Sequence, residues 1–422
     1  FYNINTVHYT INTIYLVYKR QFLKKRCISK PRENKLLIQE IVKPIYIVAS
    51  FFGLFPYRLK FQKKTNHFVI IRKSVYINSL SGISVVMLIF AFLALHIQNV
   101  FLSSENTSMT EVIMTQMNYV LELVLLVTFC VVTYTCVFLH RESYLKILNT
   151  VIATWYGSPP NRRNQSILSR LQFQVNFITM GSLFAILLMQ VVVNFTRGSS
   201  LWKMILVALT FDLPQIIQFV TLALYYVLVM MVVALLKNIN EQCSELVKDK
   251  KILSDGVIQV KSKQLFTLRQ MELAYVKAFE IKTYINEAFQ GPILASALQC
   301  FHSMVSEAHI IYHGVVVDQN LNTHDVINCS IWIFYQILKI YLLAYAGNLL
   351  KLEVSDLPTN LRDGHVLLFI SDEIQHFSSL MSYQRIEMTV YEYFPLDATL
   401  MYNMLASATM YLIILVQFDK KV

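Results

Sequence analysis

The chain has 422 residues, of which 55% are hydrophobic and 15% are charged, and its mean hydropathy is +0.48. This composition excludes an ordinary soluble domain and is typical of a helical membrane protein. The formal net charge of +11 comes from basic residues grouped between apolar stretches, which favours membrane topology over nucleic-acid binding as its explanation.

The first 78 residues mix apolar runs with basic clusters, and they are predicted to form a cytoplasmic N-terminal region, 1–78. Its second apolar run, 36–54, has basic residues on both sides, which argues against a crossing. We expect that run to form an interfacial or re-entrant helix at the inner membrane face, with a crossing as the alternative. The sequence starts at Phe1, which leaves open whether the start is complete, and no cleavable signal peptide is evident.

Seven stretches are long and apolar enough to cross the ~30 Å hydrocarbon core of a bilayer as helices. The chain is therefore predicted to be an all-α, polytopic membrane protein. No internal repeat accompanies the spans, which weakens an inverted-repeat transporter as an interpretation. The spans are expected at 79–97, 112–139, 171–195, 204–236, 293–316, 326–348 and 396–418.

Two long segments separate these spans into groups: 237–292 follows helices one to four (79–236), and 349–395 follows helices five and six (293–348). Residues 246–280 keep apolar side chains at helical spacing among charged ones. We expect the fourth and fifth spans to continue as helices into the cytoplasm and to pack there as an anchor region. A solvated helical hairpin without a partner is the alternative. The loop at 349–395 is also expected on the cytoplasmic side.

The distribution of Lys and Arg sets the expected orientation. The segments before span one and after spans two, four and six hold 15, 5, 9 and 3 of them, whereas the alternate loops hold 0, 2 and 0. The positive-inside rule then places the N-terminus in the cytoplasm and the C-terminus outside. Potential glycosylation sequons at Asn106 and Asn194 fall on the outer side. A G-protein-coupled receptor has the opposite orientation, so that class is less favoured.

No constellation of catalytic residues stands out, so the chain is not expected to be an enzyme or to need a cofactor. The six cysteines form no CxxC pair, which argues against a zinc site and a disulfide scaffold. His309 and His313 share a helix face at the spacing of zinc-binding HExxH helices, but Ile310 stands where that motif has Glu. We therefore expect these histidines to line a polar pocket and not a metal site.

Polar and aromatic residues gather in the outer halves of the predicted spans. Carboxylates at such depths, as at Glu122 and Asp212, cost ~2.5–3.5 kcal/mol each by insertion scales and should face the bundle interior or water. In span six, Trp332, Tyr335 and Gln336 share one helix face. Aromatic walls with a few amides suit a small organic ligand, although interface anchoring or helix-to-helix hydrogen bonding would give the same pattern. The predicted ligand-binding residues are Trp332, Tyr335, Gln336, Asn328, Gln190, Glu122, Asp212, His309 and Tyr312.

The last apolar stretch, 394–418, opens with Phe-Pro-Leu-Asp and closes with Tyr, five aliphatic residues, Gln and Phe. Pro395 suits a first helical position, and Asp397 suits the positive end of the helix dipole. Both ends of the stretch resemble the insect gustatory receptor family, whose chains end in Thr-Tyr, five hydrophobic residues and Gln-Phe. Met410 stands where that family usually has Thr. The inverted seven-span layout also resembles the insect chemoreceptor superfamily.

The resemblance implies a ligand-gated, non-selective cation channel in the plasma membrane of sensory neurons. Such a channel assembles as a homo- or heterotetramer with other gustatory receptors, contacts membrane lipid, binds a small-molecule tastant in the outer part of each subunit and has no nucleic-acid partner. If four last helices surround a pore for cations, the contiguous patch of Ile414, Gln417 and Phe418 would line it. Tyr411 and Leu415 would then pack against neighbouring helices.

Ligand class follows from one position of the same motif. The family's main sugar-sensing branch usually has Glu directly after the motif's Tyr, where this chain has Leu412. The resemblance therefore favours bitter or plant-derived tastants over that branch. A fructose-sensing receptor, signalling through a G protein and solute transport are the alternatives.

Overall fold

The computed structural model describes residues 38–60, 69–71, 75–102, 109–158, 163–196, 201–248, 257–317, 323–362, 371–384 and 386–419. Nearly all of this part is helical, so the predicted all-α class is confirmed. The helices are α1 (Ile38–Phe51), α2 (Val75–Leu102), α3 (Met109–Leu139), α4 (Arg141–Gly157), α5 (Asn164–Thr196), α6 (Leu201–Val207), α7 (Leu213–Lys248), α8 (Val257–Tyr312), α9 (Thr323–Arg362), α10 (Ser371–Tyr383) and α11 (Ala398–Asp419).

Short irregular elements join some of these helices. π-Helical turns at Ala208–Asp212 and His313–Val317 precede α7 and follow α8. Two antiparallel ribbons pair β1 with β2 and β3 with β4. Their strands are β1 (Arg58–Lys60), β2 (Val69–Ile71), β3 (Thr389–Val390) and β4 (Phe394–Pro395).

Six of the described helical segments are long and apolar enough to cross a membrane, and they overlap six of the seven predicted spans. The remaining span, 293–316, begins in the C-terminal part of α8 and ends in the π-helical turn behind it. That segment is less apolar because several polar side chains lie between Gln299 and His313. It nevertheless packs against α3, α7 and α9 in the interior of the helical bundle.

The core of the bundle lies along α7, in which every residue from 217 to 236 is buried. Helices α3, α5, α8 and α9 surround it, and α1 packs against both α5 and α7. Helix α1 has 14 residues, or ~21 Å, and is therefore too short to cross the ~30 Å hydrocarbon core. In contrast, among the described elements α11 makes its close contacts with α8, α9 and its own hairpin, and Leu400 is its one buried residue within 398–417.

An aromatic cluster ties α1, α4, α7 and α8 together at the predicted inner face. The ring centres of Tyr46 and Phe55 lie 5.1 Å apart, and Phe55 lies 5.6 Å from Tyr144. Tyr144 and Tyr225 flank Phe289 at 5.4 and 5.8 Å. Contacts at these distances add to the free energy gained by burying the rings.

Helices α7 and α8 extend well beyond the predicted spans and pack against each other. Helix α10 joins this region, because the Tyr275 hydroxyl donates to the carbonyl of Gln384 at 2.8 Å and the Tyr275 ring lies 5.8 Å from Phe377. Burial raises the pKa of Tyr275 to about 12, so its hydroxyl keeps the proton that it donates. The extensions are thus packed helices within one unit.

The start of the last helix differs from the sequence prediction. Pro395 lies in β4, opposite Thr389, and α11 begins at Ala398. The reason is that Asp397 caps the helix: its Oδ1 accepts hydrogen bonds from the Thr399 backbone nitrogen at 2.9 Å and the Thr399 hydroxyl at 2.6 Å. The prediction of Pro395 as a first helical position was therefore wrong, whereas Asp397 does lie at the positive end of α11.

The segment before α11 lies directly against α9 at a glycine. A Cβ atom on Gly347 would lie 1.5 Å from the carbonyl oxygen of Leu396, so only glycine permits this approach. One turn further along α9, Lys351 donates to Asp397 Oδ2 at 2.8 Å. The junction formed by Gly347, Lys351, Leu396 and Asp397 fixes where the last helix starts.

We expect a C-terminal epitope tag to be accessible on intact cells, and an N-terminal tag to be stained only after permeabilisation. The reason is the excess of Lys and Arg on one set of loops. Antibody staining before and after permeabilisation measures both. An N-terminal tag stained on intact cells would contradict the orientation.

Candidate functional site

A small cavity, called here the outer cavity, lies between α5, α9 and the π-helical turn before α7. Its lining includes Gln190, Asp212, Trp332 and Tyr335, four of the predicted ligand-binding residues. The Trp332 and Tyr335 rings lie 5.8 Å apart, and the π-helical turn carries the buried Asp212. The cavity measures about 20 Å³, which is room for about one water molecule.

Directly inward of the cavity, α9 carries a lysine that is fully buried. The Lys339 ammonium donates to the side-chain oxygens of Gln215 and Gln218, both at 2.6 Å, and to that of Gln299 at 3.4 Å. These three amides accept all three protons that an ammonium can donate. The same nitrogen lies 4.5 Å from the centre of the Tyr335 ring, a cation–π contact.

The negative charge that balances Lys339 is the Glu122 carboxylate, and the side-chain amide of Gln299 connects the two. Gln299 accepts from Lys339 with its oxygen, and its Nε2 donates to Glu122 Oε1 at 2.6 Å. His302 Nε2 lies 3.9 Å from the other carboxylate oxygen of Glu122. Lys339, Gln215, Gln218, Gln299 and Glu122 are called here the buried lysine network. It spreads one positive and one negative group over α3, α7, α8 and α9.

Tyr335 belongs to both the cavity and the network. Its ring lines the cavity, while its hydroxyl donates to the backbone carbonyl of Gln215 at 2.8 Å. On the far side, Gln218 donates to the Ser296 hydroxyl at 2.8 Å, which joins α7 to α8. A displaced Tyr335 ring would therefore disturb contacts on three helices.

Comparison with known proteins decides the family. The model of the 7tm chemosensory receptor family matches residues 42–422, which is nearly the whole chain. The chain is a 7tm chemosensory receptor. The predicted resemblance to the insect chemoreceptor superfamily is thereby confirmed.

Solved structures agree on the fold of this chemosensory receptor. The insect olfactory receptor OR5 from Machilis hrabei superposes with a TM-score of 0.67 at 15% identity, covering 90% of this chain and 98% of OR5. The structure of OR5 in complex with eugenol gives a TM-score of 0.65 at 14% identity, with the same coverage. The fold is therefore that of the seven-helix insect receptors. No curated protein matches the chain.

The receptor's fold divides the predicted ligand-binding residues into three groups. Gln190, Asp212, Trp332 and Tyr335 meet at the outer cavity, whereas Glu122 lies in the network. The other four do not line the cavity. Gln336 donates to the Ser303 hydroxyl of α8 at 3.2 Å, Asn328 is buried one turn above Trp332, His309 is buried 6.1 Å from the His313 ring, and Tyr312 is half-buried at the end of α8.

Sequence reasoning missed Lys339 and Gln299, whereas Gln215 and Gln218 stand out in the sequence as polar residues at the depth of the predicted pocket. A lone lysine between Leu338 and Ile340 is an ionisable residue within a membrane span, which is by itself a reason to expect a functional role. Gln299 carried no comparable signal. Its role depends on α8 bringing it between α3 and α9, which single-helix spacing does not reveal.

The predicted pore residues lie on the exposed last helix of the receptor. Ile414 is 45% exposed, Gln417 is exposed, and the Phe418 side chain lies outside the described residues. Tyr411 is half exposed, with its ring 6.3 Å from Phe301 of α8, and Leu415 is half-buried. The predicted glycosylation site Asn106 lies outside the described residues, as does the side chain of Asn194, whose backbone lies in the last turn of α5.

Proposed function

We propose that this chemosensory receptor is a gustatory receptor: a ligand-gated, non-selective cation channel that responds to small organic tastants. The observation that carries the channel function is the exposed face of α11. Asn403, Ser407, Ile414 and Gln417 are all exposed and follow one another at 4, 7 and 3 residues along that helix. These intervals keep them on one face.

Polar residues on a lipid-facing surface are costly, so such a face is expected to contact water or another subunit. Four α11 helices around an axis would place Asn403, Ser407 and Gln417 along a water-filled path for cations. An amide ring offers carbonyl oxygens to a passing cation, and the Ile414 ring can close the path by excluding water. This arrangement supports a tetramer, formed with copies of the chain or with other gustatory receptors.

The outer cavity is the proposed tastant site. An organic ligand needs a pocket of ~300 Å³ or more, so the 20 Å³ cavity must open before one enters. Opening of the cavity would move Tyr335, whose hydroxyl contacts Gln215 and whose ring contacts Lys339. Movement of the cavity wall would thus reach α7 and α8, and Phe301 of α8 contacts Tyr411 of the pore helix.

A gustatory role is favoured over an olfactory one by the C-terminal motif, from Tyr411 to Gln417 and Phe418. Leu412 after the motif's tyrosine favours bitter or plant-derived compounds, with a fructose-type receptor as the second candidate. The plasma membrane of a sensory neuron is the corresponding location. The solved olfactory relatives share the fold at 14–15% identity and do not decide between the two senses.

Trp332→Ala tests the proposed site. In cells that express the receptor and respond to a panel of bitter and sugar compounds, we expect it to raise the half-maximal agonist concentration about tenfold or more. Loss of a buried aromatic contact typically costs ~2 kcal/mol of binding free energy. Whole-cell current against agonist concentration measures the shift, with surface expression measured in parallel.

Trp202→Ala is the matched control, because Trp202 is 59% exposed on α6 and does not line the cavity. It should leave the agonist response unchanged. An unchanged response in Trp332→Ala, at normal surface expression, would place the tastant site elsewhere.

A further inference from the structure

A second and larger groove lies between α5, α7 and α9, near the predicted inner face of the membrane. It measures about 390 Å³, almost twenty times the volume of the outer cavity. Its apolar wall includes Leu171, Met230, Val233 and Leu349, and its polar wall includes Arg163, Arg170, Lys237, Glu241 and Glu353.

The polar wall of the groove lies closer to the membrane surface than its apolar wall does. Helix α5 enters the membrane from its N-terminal end, so Arg163 lies shallower than Leu171. Helix α7 leaves the membrane toward its C-terminal end, so Met230 lies deeper than Lys237 and Glu241. Helices α5 and α7 therefore place charges at the interface and apolar side chains toward the hydrocarbon, the arrangement of a phospholipid headgroup and its chains.

The charges of the groove are of both signs, and two of them lack partners among the residues that the structure describes. Lys237 lies 3.7 Å from Glu353, which also accepts from Asn240 at 3.1 Å. Arg170, in contrast, is exposed and has no ion pair among the described residues. Glu241 Oε2 is buried, and within the described part of the chain nothing donates a hydrogen bond to it. A buried oxygen without a donor is costly, so a ligand that supplies one is favoured.

We propose that this groove binds a phospholipid whose headgroup carries both a phosphate and a primary ammonium, the chemistry of phosphatidylethanolamine. The phosphate lies against the guanidinium of Arg170 and beside Arg163, since guanidinium groups bind phosphate oxygens with paired hydrogen bonds. The Glu241 side chain is half-buried at the edge of the groove, and its rotation turns the unpartnered oxygen toward the ammonium, which donates to it. The acyl chains follow the apolar wall toward Met230 and Leu349. The site is separate from the outer cavity.

Other common headgroups match the groove less well. Phosphatidylcholine carries a quaternary ammonium, which has no hydrogen to donate to Glu241. Phosphatidylglycerol supplies a phosphate for Arg170, but it brings no positive charge to the two carboxylates of the groove. The combination of Arg170 and Glu241 therefore selects the primary amine.

Lipid retention by the purified full-length receptor tests this proposal. The protein is equilibrated in micelles with equal amounts of phosphatidylethanolamine, phosphatidylcholine and phosphatidylglycerol, and bound lipid is identified by native mass spectrometry. We expect about tenfold preference for phosphatidylethanolamine, consistent with one added charge-assisted hydrogen bond. Glu241→Gln should remove most of that preference while phosphate-dependent retention remains. Arg170→Gln should lower the retention of all three lipids about tenfold.

Arg269→Gln is the matched control, because Arg269 is an exposed arginine of α8 that does not line the groove. It should behave as the parent protein. Equal retention of the three lipids by the parent, or strongest retention of phosphatidylglycerol, would overturn the proposal. An equal loss of lipid in Arg170→Gln and Arg269→Gln would overturn it as well.

Discussion

Lys339→Met is expected to destabilise the receptor by ~3–5 kcal/mol, the usual cost of removing one partner from a buried charged network. The substitution removes the donor on which Gln215 and Gln218 depend at 2.6 Å each. It also leaves the buried Glu122 carboxylate without the cation that it reaches through Gln299. Thermal unfolding of the detergent-solubilised protein, followed by fluorescence-detected size exclusion, measures the loss.

Lys351→Met is the matched control on the same helix. Lys351 has a direct ion pair with Asp397 at 2.8 Å, but its side chain is 57% exposed, and exposed pairs contribute only ~0.2–1 kcal/mol. If burial decides the effect, Lys339→Met should lower the stability far more than Lys351→Met, although only Lys351 contacts a carboxylate directly. Equal effects of the two substitutions would contradict the importance of the network.

A double substitution separates charge from packing. Adding Glu122→Gln to Lys339→Met removes the carboxylate that has lost its cation, so part of the lost stability should return. A positive coupling between the two positions is expected, because one amide connects them. Purely additive losses would show that Lys339 acts only through its local contacts with α7.

Gly347→Ala is expected to prevent normal assembly of the last helix. The added Cβ atom would lie 1.5 Å from the Leu396 carbonyl oxygen and 2.7 Å from its carbon, and both are backbone atoms. The segment before α11 would have to move away from α9, which breaks the contact between Lys351 and Asp397. We expect a loss of ~3 kcal/mol or more, at the upper end for overpacking, with strongly reduced surface expression.

Gly181→Ala provides the control for this substitution. Gly181 lies within α5, and a Cβ atom there would meet nothing within 4 Å. Alanine is the better helix former by ~1 kcal/mol, so this variant should be as stable as the parent or slightly more so. Normal expression of Gly347→Ala would show that the junction between α9 and α11 adapts easily.

The spans were predictable because apolar composition over 20 residues is a property of the local sequence. The helices contain 79–97, 112–139 and 326–348 within α2, α3 and α9. The start of α11 was misplaced because two signals competed there. Pro395 favours a first helical turn, but pairing of β4 with β3 and the Asp397 cap fixed the start three residues later.

The candidate site was only partly predictable. Trp332 and Tyr335 share a helix face, and their position at one cavity follows from that spacing. Gln336 is adjacent in sequence, but it is directed to Ser303 because α8 packs on that side of α9. The buried lysine network joins four helices, and pairing between helices is set by tertiary packing, which one sequence does not encode in any local pattern.

The central claim is that this receptor is itself an ion channel with α11 lining the pore. Purified receptor in a planar lipid bilayer, alone or together with the gustatory receptor with which it assembles, should pass a cation current when an active tastant is added. Gln417→Glu should then raise the permeability of Ca²⁺ relative to Na⁺, read from the bi-ionic reversal potential, because a carboxylate ring attracts divalent cations more strongly than an amide ring. Gln98→Glu, the same change at the exposed outer end of α2, should leave the reversal potential of the parent unchanged. Tastant binding without current, or identical reversal potentials in Gln417→Glu and the parent, would contradict it.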